Sequence, residues 1–353
     1  MRIAIIAITA NGVRLGETLR PGFPGSDLFA IEKHAAGPAQ PFSGGLAPLV
    51  ERTWRAYDGL IFIMATGIVV RSIAPHLEGK DRDPAVVVMD DAGTFAISLL
   101  SGHLGGANAL AVRCGELCGS TPVITTATDA NGLPSFDMLA KEKRWQIEDL
   151  SRVKSLNALL LEGKEIAVAD HGGEVESYFA GRGKLSFCSG PAEALASGAS
   201  GFLLVTNKIL PPFPQDAPVL VLRPRNLCLG IGCNRGTSCE EIGSVVARHL
   251  EREGLSMKSV ACLATAEAKM TEEGLLVFAD MNAIRLNFYA SGSLNEVAVP
   301  SPPSAHAMSA IGATGVAEPA ALLASRGGTL LMHKVKDGNV TLAIAEIGAP
   351  ENG

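Results

Sequence analysis

Residues 83–132 carry the sequence DPAVVVMDDAGTFAISLLSGHLGGANALAVRCGELCGSTPVITTATDANG, and the fold class follows from it. Three short apolar runs, Ala85–Met89, Phe95–Leu99 and Pro122–Ile124, are bounded by Gly, Asp and Pro, which favours buried strands. An Ala- and Leu-rich segment from Gly105 to Leu117 predicts a helix between the last two strands. The alternation predicts an α/β fold with an N-terminal doubly wound, Rossmann-like sheet.

A glycine-rich turn separates the second strand from this helix. Such a turn leaves backbone N–H groups free, and the helix start favours a carboxylate or a phosphate. His103 lies in the turn and titrates near neutral pH. The turn therefore predicts a ligand site; its other members are Ser101, Gly102, Gly105, Gly106 and Asn108. The alternative is that the glycines serve helix–sheet packing and His103 caps a loop, because a single glycine-rich turn is a weak signal.

Two further polar loops follow predicted strands. Thr66 and Gly67 come after the apolar run Leu60–Ala65 and precede a predicted helix that contains Arg71. The third loop, after Ile124, holds three further candidates: Thr125, Thr126 and Asp129. Ligands of open α/β sheets bind beyond the carboxyl ends of the strands, so we expect the three loops to face one edge. The alternative for Thr66 and Arg71 is an ordinary helix cap with a solvated side chain.

Changes in composition along the sequence predict three structural units. Residues 1–145 form the N-terminal α/β domain; its first strand ends at the turn signal Asn11-Gly12 and no GxGxxG dinucleotide fingerprint follows it. Residues 146–215 form a small α/β middle unit, and a Pro-rich segment at 211–218 predicts a stiff linker. Residues 224–348 form a separate C-terminal three-layer α/β/α domain.

The composition excludes several classes of protein. The chain has 353 residues, enough for two or three domains, and a net charge of -6, which argues against sequence-independent nucleic-acid binding. Seven cysteines without a CxxC pair fit a reducing compartment and predict no metal site. We expect a cytoplasmic protein without a membrane partner, because no apolar run reaches transmembrane length.

Several motifs together resemble one known family. They are GLIFIMATGIVVRSIAPHLEGKDRDPAVVVMD, GTFAISLLSGHLGGANALA, PVITTATDANG, LGIGCNRGTSCEEI, LATAEAKMTEEGL and TGVAEPAALLAS. These motifs resemble the cobalt-precorrin-5A hydrolase family (CbiG) of cobalamin biosynthesis, over most of residues 50–145 and 226–347. The middle region resembles the family only loosely.

The resemblance implies a reaction. The family acts in the oxygen-independent pathway, where it opens the ring A acetate lactone of cobalt-precorrin-5A and releases acetaldehyde to give cobalt-precorrin-5B. The substrate carries its own cobalt, so the resemblance implies no cofactor and no protein-bound metal. The implied partners are this small-molecule substrate and water; a homodimer and transient contacts with neighbouring pathway enzymes stay open.

Lactone opening needs an activated water and a place for negative charge to develop. We expect His103 to be the general base, beside the backbone N–H groups of Gly105 and Gly106. Asp90 or Asp91, at the end of the preceding strand, is expected to orient the imidazole or to take the proton itself.

Basic side chains are expected to bind the carboxylates of the substrate. The candidates are Arg71, Lys80, Arg82, Arg235 and Lys269. Covalent catalysis through Ser101 is less favoured, because no GxSxG elbow surrounds it. Two other functions are weighed: a non-catalytic tetrapyrrole carrier, and a nucleotide-dependent dehydrogenase, which the missing GxGxxG disfavours.

Overall fold

The computed structural model describes residues 1–79, 82–214 and 217–348. The chain divides into two compact units, Met1–Met138 and Leu139–Gly353. Two residues used in the sequence predictions, Lys80 and Gln215, lie outside the described residues. The three predicted parts, 1–145, 146–215 and 224–348, stay a prediction, because compactness divides the chain only once.

The first unit holds a seven-stranded sheet. Its strands are β1 (Ile3–Ala7), β2 (Asp27–Ile31), β3 (Gln40–Phe42), β4 (Gly59–Ile63), β5 (Ala85–Met89), β6 (Phe95–Leu100) and β7 (Thr121–Val123). Its helices are α1 (Ala10–Leu19), α2 (Leu46–Trp54), α3 (Thr66–Ile73), α4 (Ala107–Cys118) and α5 (Ala127–Ala130), and α6 (Phe136–Lys143) runs past its end. The strand order is β3-β2-β1-β4-β5-β6-β7.

Helices cover both faces of this sheet, because its central strands are apolar on both sides. Ile5 of β1 belongs to a core cluster with residues of α1 and α4. Its neighbour Ile6 belongs to a second cluster with residues of α2 and α3. Each fully buried side chain of this size stabilises the fold by about 1.5–3 kcal/mol. The predicted doubly wound sheet is confirmed.

Strand β6 runs antiparallel to β5, so the polar loops that follow the strands lie at two opposite edges of the sheet. Strands β1, β4 and β5 are parallel, whereas β6 is antiparallel to β5 and β7 is parallel to β6. The carboxyl ends of β1, β4 and β5 therefore lie at one edge, and those of β6 and β7 at the opposite edge. The expectation of three loops at one edge is wrong, since Thr66 follows β4 whereas Ser101 and Thr125 follow β6 and β7.

The first helix begins where the sequence predicts a turn. Asn11 and Gly12 lie in the first turn of α1, and Oγ1 of Thr9 accepts the N–H of Gly12 at 2.9 Å. This is an ordinary N-cap. A Cβ at Gly12 would crowd Thr9 and Ile63, so this glycine permits close packing of the helix on the sheet.

The second unit begins with a five-stranded sheet. Its strands are β8 (Gln146–Ile147), β9 (Ile166–Ala169), β10 (Leu185–Cys188), β11 (Gly201–Val205) and β12 (Val219–Arg223), and its helices are α7 (Ser151–Leu161), α8 (Glu174–Phe179) and α9 (Pro191–Ala196). The order is β10-β9-β11-β12-β8, with only β8 antiparallel among these strands. Strand β12 extends this sheet beyond residue 215, where the sequence predicts its end.

A second five-stranded sheet follows in the same unit. Its strands are β13 (Leu227–Cys233), β14 (Val260–Ala266), β15 (Arg285–Tyr289), β16 (Thr329–Asp337) and β17 (Val340–Glu346). Its helices are α10 (Cys239–Arg252), α11 (Glu273–Met281), α12 (Ser291–Asn295), α13 (Ala305–Ile311) and α14 (Ala317–Ala324). Helices α10 and α11 pack on one face and α14 on the other, as the predicted α/β/α layers require. Gly230 of β13 lies against α14, where a Cβ would overlap the carbonyl of Ala317.

Polar contacts join the two sheets of the second unit. Within the first of these sheets, Arg223 of β12 is 5% exposed, and its Nε donates to Oε2 of Glu148, which follows β8, at 2.6 Å. Nζ of Lys258 donates to Oε1 of the same glutamate at 3.1 Å. Nδ2 of Asn207 donates to Oε1 of Glu346 at 2.7 Å. The Pro-rich segment at 211–218 therefore does not leave the two sheets independent.

Across residues 1–79, 82–214 and 217–348, every helix is too short or too polar to cross a bilayer.

Candidate functional site

The glycine-rich turn after β6 is tightly folded. Ser101 has a φ of 57°, which is unusual for a residue with a side chain, and its carbonyl accepts the N–H of Ala107 at 3.1 Å. Gly106 has a φ of 96°, and a Cβ at Gly105 would overlap the side chain of Ser101. Backbone strain of this kind concentrates at functional sites. The local sequence thus fixes the conformation in which His103 is presented.

His103 lies between two carboxylates. Its Nε2 is 2.7 Å from Oδ2 of Asp129, and its Nδ1 is 3.2 Å from Oδ2 of Asp137. Hydroxyl groups of Thr128 and Ser135 lie 3.3 and 3.5 Å from the same two ring nitrogens. The side chain of Asp137 is 7% exposed and that of Asp129 is 44% exposed. Asp129 is therefore the carboxylate of this trio that a substrate can reach.

The position of Asp129 is fixed by two further side chains. Its Oδ2 accepts hydrogen bonds from Oγ1 of Thr126 at 2.6 Å and from Nδ2 of Asn108 at 3.0 Å. Oδ1 of Asn108 in turn accepts from Oγ of Ser98 at 2.7 Å. Burial works to raise the pKa of Asp129, but the hydrogen bonds from Thr126 and His103 hold it below its usual range. The predicted candidates Asn108, Thr126 and Asp129 thus converge on His103.

The two carboxylates favour the protonated form of His103. The hydrogen bond to Asp137 raises the pKa of His103; burial opposes this, and Asp129 adds to the increase. An imidazolium donates from both ring nitrogens, which matches a ring with a carboxylate at each nitrogen. Such a ring can give a proton but has no lone pair to accept one. The arrangement therefore favours His103 as an acid at the start of a reaction, rather than as the predicted base.

A cavity of about 430 Å³ adjoins the same turn of the first unit. Its lining includes Trp54, Arg55, Arg82 and Gly105. Both arginines form ion pairs with Glu78, at 2.5 Å from Arg55 and 3.6 Å from Arg82. The lining also holds the acids Asp58, Glu78 and Asp83, so both guanidinium groups already face a carboxylate of the protein, and a carboxylate of a ligand would have to compete with Glu78 for them.

Neither predicted orienting acid contacts His103. The carboxylate of Asp90 accepts the backbone N–H groups of Ala92, Thr94 and Phe95. Burial works to raise the pKa of Asp90, but these hydrogen bonds outweigh it and lower the pKa. Asp91 accepts hydrogen bonds from Thr9 and Asn11. Both acids follow directly after β5, at the edge opposite His103. The expected orientation of His103 by Asp90 or Asp91 is therefore wrong, and Asp137 and Asp129 hold the ring instead.

The remaining candidates of the first unit have structural contacts. Nη1 of Arg71 donates to the carbonyl of Gly67 at 3.0 Å within α3, which begins at Thr66, at the edge of Asp91. Oγ of Ser101 donates to the carbonyl of Asp83 at 3.0 Å, so its proton is not directed at His103. The last two candidates are Gly102 and Thr125. The carbonyl of Gly102 accepts the N–H of Asn108, and Thr125 is exposed.

Arg235 and Lys269 belong to the second unit. Nζ of Lys269 lies 3.1 Å from Oε1 of Glu272, and Oε2 of Glu272 accepts the N–H of Gly236. Oγ of Ser238 caps α10 by accepting the N–H of Glu241. The polar turn before α10 is thus already occupied by the protein's own acid. A cavity of about 500 Å³ in this unit is lined by other residues, among them Arg223 and Lys258.

Models of protein families match three consecutive stretches of the chain. They are Cobalamin synthesis G N-terminal at residues 48–129, Cobalamin biosynthesis central region at 134–224 and Cobalamin synthesis G C-terminus at 227–345. A cobalt-precorrin-5A hydrolase of Priestia megaterium is 37% identical, over 98% of this chain and 94% of the relative. The chain belongs to the CbiG family. A second cobalt-precorrin-5A hydrolase, from Salmonella typhimurium strain LT2, is 32% identical over 97% of each protein.

The family resemblance predicted from the motifs is therefore confirmed. Protein CobE of Sinorhizobium sp is 32% identical over 121 residues, which is 34% of this CbiG-family chain and 79% of CobE. The match to CobE shows that part of the CbiG chain is similar to a shorter protein.

Sequence reasoning missed Asp137, Ser135 and Thr128. Asp137 stands in the first turn of α6, where an acid is usually explained by the helix dipole. Only the contact between α6 and the turn of His103, which the sequence does not reveal, distinguishes it from an ordinary helix-start acid.

Within the parts of this CbiG-family chain that the structure describes, no group of three or more His, Cys, Asp or Glu could hold a metal ion. His103 and its two acids do not form one, because the carboxylates face opposite nitrogens of the ring.

Proposed function

We propose that this chain is a cobalt-precorrin-5A hydrolase that opens the ring A acetate lactone and releases acetaldehyde. The observation that carries the proposal is the trio Asp137–His103–Asp129, held on a strained glycine turn beside a cavity with two arginines. The relatives that carry the hydrolase name are similar over nearly the whole chain. Lactone opening needs both a proton donor and a proton acceptor, and this trio offers one of each.

In the first step, water attacks the lactone carbonyl. Asp129, the exposed carboxylate, takes a proton from the water, and the new C–O bond forms. The ester C–O bond then breaks, and Nε2 of His103 gives its proton to the alkoxide that leaves. Asp137 keeps the ring oriented and stabilises its charge before the transfer, as a buried aspartate does for the histidine of hydrolytic triads. The products of this step are a free acetate arm and a secondary alcohol.

In the second step, the now neutral His103 acts as a base, which is the role the sequence predicts for it. Nε2 takes the proton of the alcohol, the C–C bond to the macrocycle breaks, and acetaldehyde leaves. The electron pair passes to the ring carbon, which takes the proton held by Asp129. His103 and Asp129 return to their starting states, so one water is consumed for each acetaldehyde.

The deciding experiment is incubation of the full chain with cobalt-precorrin-5A and measurement of acetaldehyde against time. Catalytic release of more than one acetaldehyde per chain supports the proposal. Stoichiometric binding of the tetrapyrrole without acetaldehyde would instead favour the carrier function. His103→Gln is expected to bind the tetrapyrrole and to lose turnover by roughly 10²–10⁴-fold, the usual contribution of a general acid–base group.

The same proposal covers the partners and the location. The substrate brings the cobalt, and the protein supplies no cofactor of its own. We infer a cytoplasmic enzyme, with a homodimer and contacts to neighbouring pathway enzymes left to measurement of the native mass.

A further inference from the structure

Asn108 stands in the first turn of α4, and its side-chain amide contacts three polar groups. Its Nδ2 donates to Oδ2 of Asp129 at 3.0 Å and to Oγ1 of Thr126 at 2.8 Å, and its Oδ1 accepts from Oγ of Ser98 at 2.7 Å. An ionised carboxylate can only accept hydrogen bonds, so the nitrogen of the amide must face Asp129 and the oxygen must face Ser98. The hydroxyl of Ser98 therefore fixes which way the amide is turned.

Strand β6 places Ser98 beneath the first turn of α4. Ser98 pairs in register with Val87, a member of the core cluster that α4 covers, so its side chain points to the same face of the sheet. The missing side chain of Gly102 leaves room for the amide oxygen, since a Cβ there would lie 2.6 Å from Oδ1 of Asn108. The strand and the turn together hold the amide oxygen on the side away from Asp129.

The orientation of the amide decides the direction of the hydroxyl of Thr126. Because Oγ1 of Thr126 accepts from Asn108, its single proton is left for Oδ2 of Asp129, 2.6 Å away. Nε2 of His103 lies 2.7 Å from the same oxygen. Three donors thus surround Oδ2, whereas no other residue within 1–79, 82–214 and 217–348 donates a hydrogen bond to Oδ1.

Three donors on one oxygen keep Asp129 ionised. Burial works to raise its pKa, and the hydrogen bond from Thr126 is the largest of the contacts that lower it. Among the described residues, His103 is the only titratable group that contacts Asp129, and Asp137 of α6 lies at the opposite nitrogen of the imidazole ring. The charge of Asp129 therefore depends on the hydrogen bonds that begin at Ser98 as well as on the histidine.

We propose that Ser98 is a positioning residue of the hydrolase, which acts through the amide of Asn108 to hold the carboxylate of Asp129 by its Oδ2. The free Oδ1 is then the oxygen that takes the proton of the attacking water and later returns it to the ring carbon. The inference rests on the proposed function for this reaction, but the positioning itself can be measured without substrate.

The alternative is that the hydrogen bond between Ser98 and Asn108 only stabilises the turn. Ser120 provides the matched control, because its Oγ donates to the carbonyl of Gly93 at 2.6 Å, at the opposite edge of the same sheet. Ser120→Ala should lower the temperature of thermal unfolding but leave the titration of Asp129 and the turnover at their wild-type values.

The first measurement is a pH titration of the full chain, with the side-chain carboxyl carbons of aspartate labelled with ¹³C. The signal of Asp129 is assigned by its loss from Asp129→Asn. Ser98→Ala should raise the pKa of Asp129, because the amide is then free to turn its oxygen toward the carboxylate. Asn108→Asp should raise it further, because a second carboxylate then faces the first. Ser98→Thr keeps the hydroxyl and should recover the low pKa.

The second measurement is the pH dependence of acetaldehyde release by the same variants. The acid limb of the pH–rate profile should move to higher pH in Ser98→Ala and Asn108→Asp. Turnover of Ser98→Ala at neutral pH should fall by roughly 10-fold, as for the loss of one hydrogen bond to a charged group.

A titration of Asp129 that is unchanged in Ser98→Ala, or that shifts equally in Ser120→Ala, would overturn the inference. A wild-type chain that releases no acetaldehyde, with the titration shifted as expected, refutes the hydrolase function and leaves the positioning of Asp129 by Ser98 standing. The two failures are therefore distinguishable.

Discussion

Nδ1 of His103 lies 3.2 Å from Oδ2 of Asp137, and the buried carboxylate favours a proton on that ring. Asp137→Asn keeps the size of the side chain and removes the charge. We expect the pKa of His103 to fall and turnover to drop by roughly 10²–10⁴-fold. The alkaline limb of the pH–rate profile should move to lower pH. Acetaldehyde release across a pH series measures both effects. An exposed acid of α11, Asp280→Asn, is the control.

The direction of β6 leads to a second prediction. Asp129 and Asp91 are both polar residues at strand ends, but they lie at opposite edges of the sheet. Asp129→Asn should lose at least about 10²-fold in turnover, because it removes the proposed acceptor of the water proton. Asp91→Asn should keep near wild-type turnover and change stability by no more than about 1 kcal/mol. Equal losses in the two variants would contradict the assignment of the edges.

The raised pKa of His103 also predicts how stability depends on pH. A group whose pKa is higher in the folded state stabilises the fold fully below its unfolded value, near 6.5, and loses this contribution as pH rises through the folded value. The difference in free energy of unfolding between wild type and His103→Gln should therefore be larger at about pH 6 than at about pH 9. Urea unfolding at the two pH values tests this, and a difference that grows with pH would refute it.

The turn itself gives a prediction that involves no ionisable group. A methyl group at Gly105 would overlap the side chain of Ser101, so Gly105→Ala should destabilise the first unit by about 1–3 kcal/mol and lower turnover. Gly292→Ala, where no atom lies within 4 Å of the new Cβ, is the matched control and should be neutral or slightly stabilising. Thermal unfolding of the two variants compares them directly.

The contact between Arg223 and Glu148 predicts acid sensitivity of the second unit. Burial works to raise the pKa of Glu148, but Arg223 and Lys258 hold it below its usual value of 4.5. This stabilisation is present above about pH 4.5 and is lost as pH falls through the folded value. Glu148→Gln should cost about 1–2 kcal/mol at neutral pH, reduced because the glutamate is 38% exposed. The variant should also lose part of the wild-type acid dependence, which urea unfolding at falling pH measures.

Much of the fold is predictable from the sequence, because buried strands of a doubly wound sheet are continuous apolar runs. The run Ala85–Met89 matches β5 without error, and the helix predicted from Gly105 to Leu117 matches α4 to within two residues. The reversal of β6 was missed, although the five residues between β5 and β6 are too few for a parallel crossover. The direction of β6 could be read from the length of this connection, but not from the apolar pattern of the strands.

Only some residues of the site were predictable from the sequence. Glycines around a histidine are a local signal, so His103, Asn108 and Asp129 could be selected from the sequence. Asp137 could not, because its role depends on where α6 places it in space. Asp90 was chosen for its nearness in sequence, but a strand carries its two ends to opposite edges of a sheet.

Gly230 has a consequence for the edge strand that it never touches. Its missing side chain lets the carbonyl of Ala317 rest directly on β13, and Glu318 is the next residue in the helix. The distance between α14 and the sheet therefore depends on the absence of a side chain at Gly230. Any larger residue at position 230 would push the first turn of this helix away from the sheet and displace Glu318 from the N–H of Lys334. The edge strand β16 would then lose the carboxylate that accepts the N–H of Lys334, through a change at a residue buried in the middle of the domain.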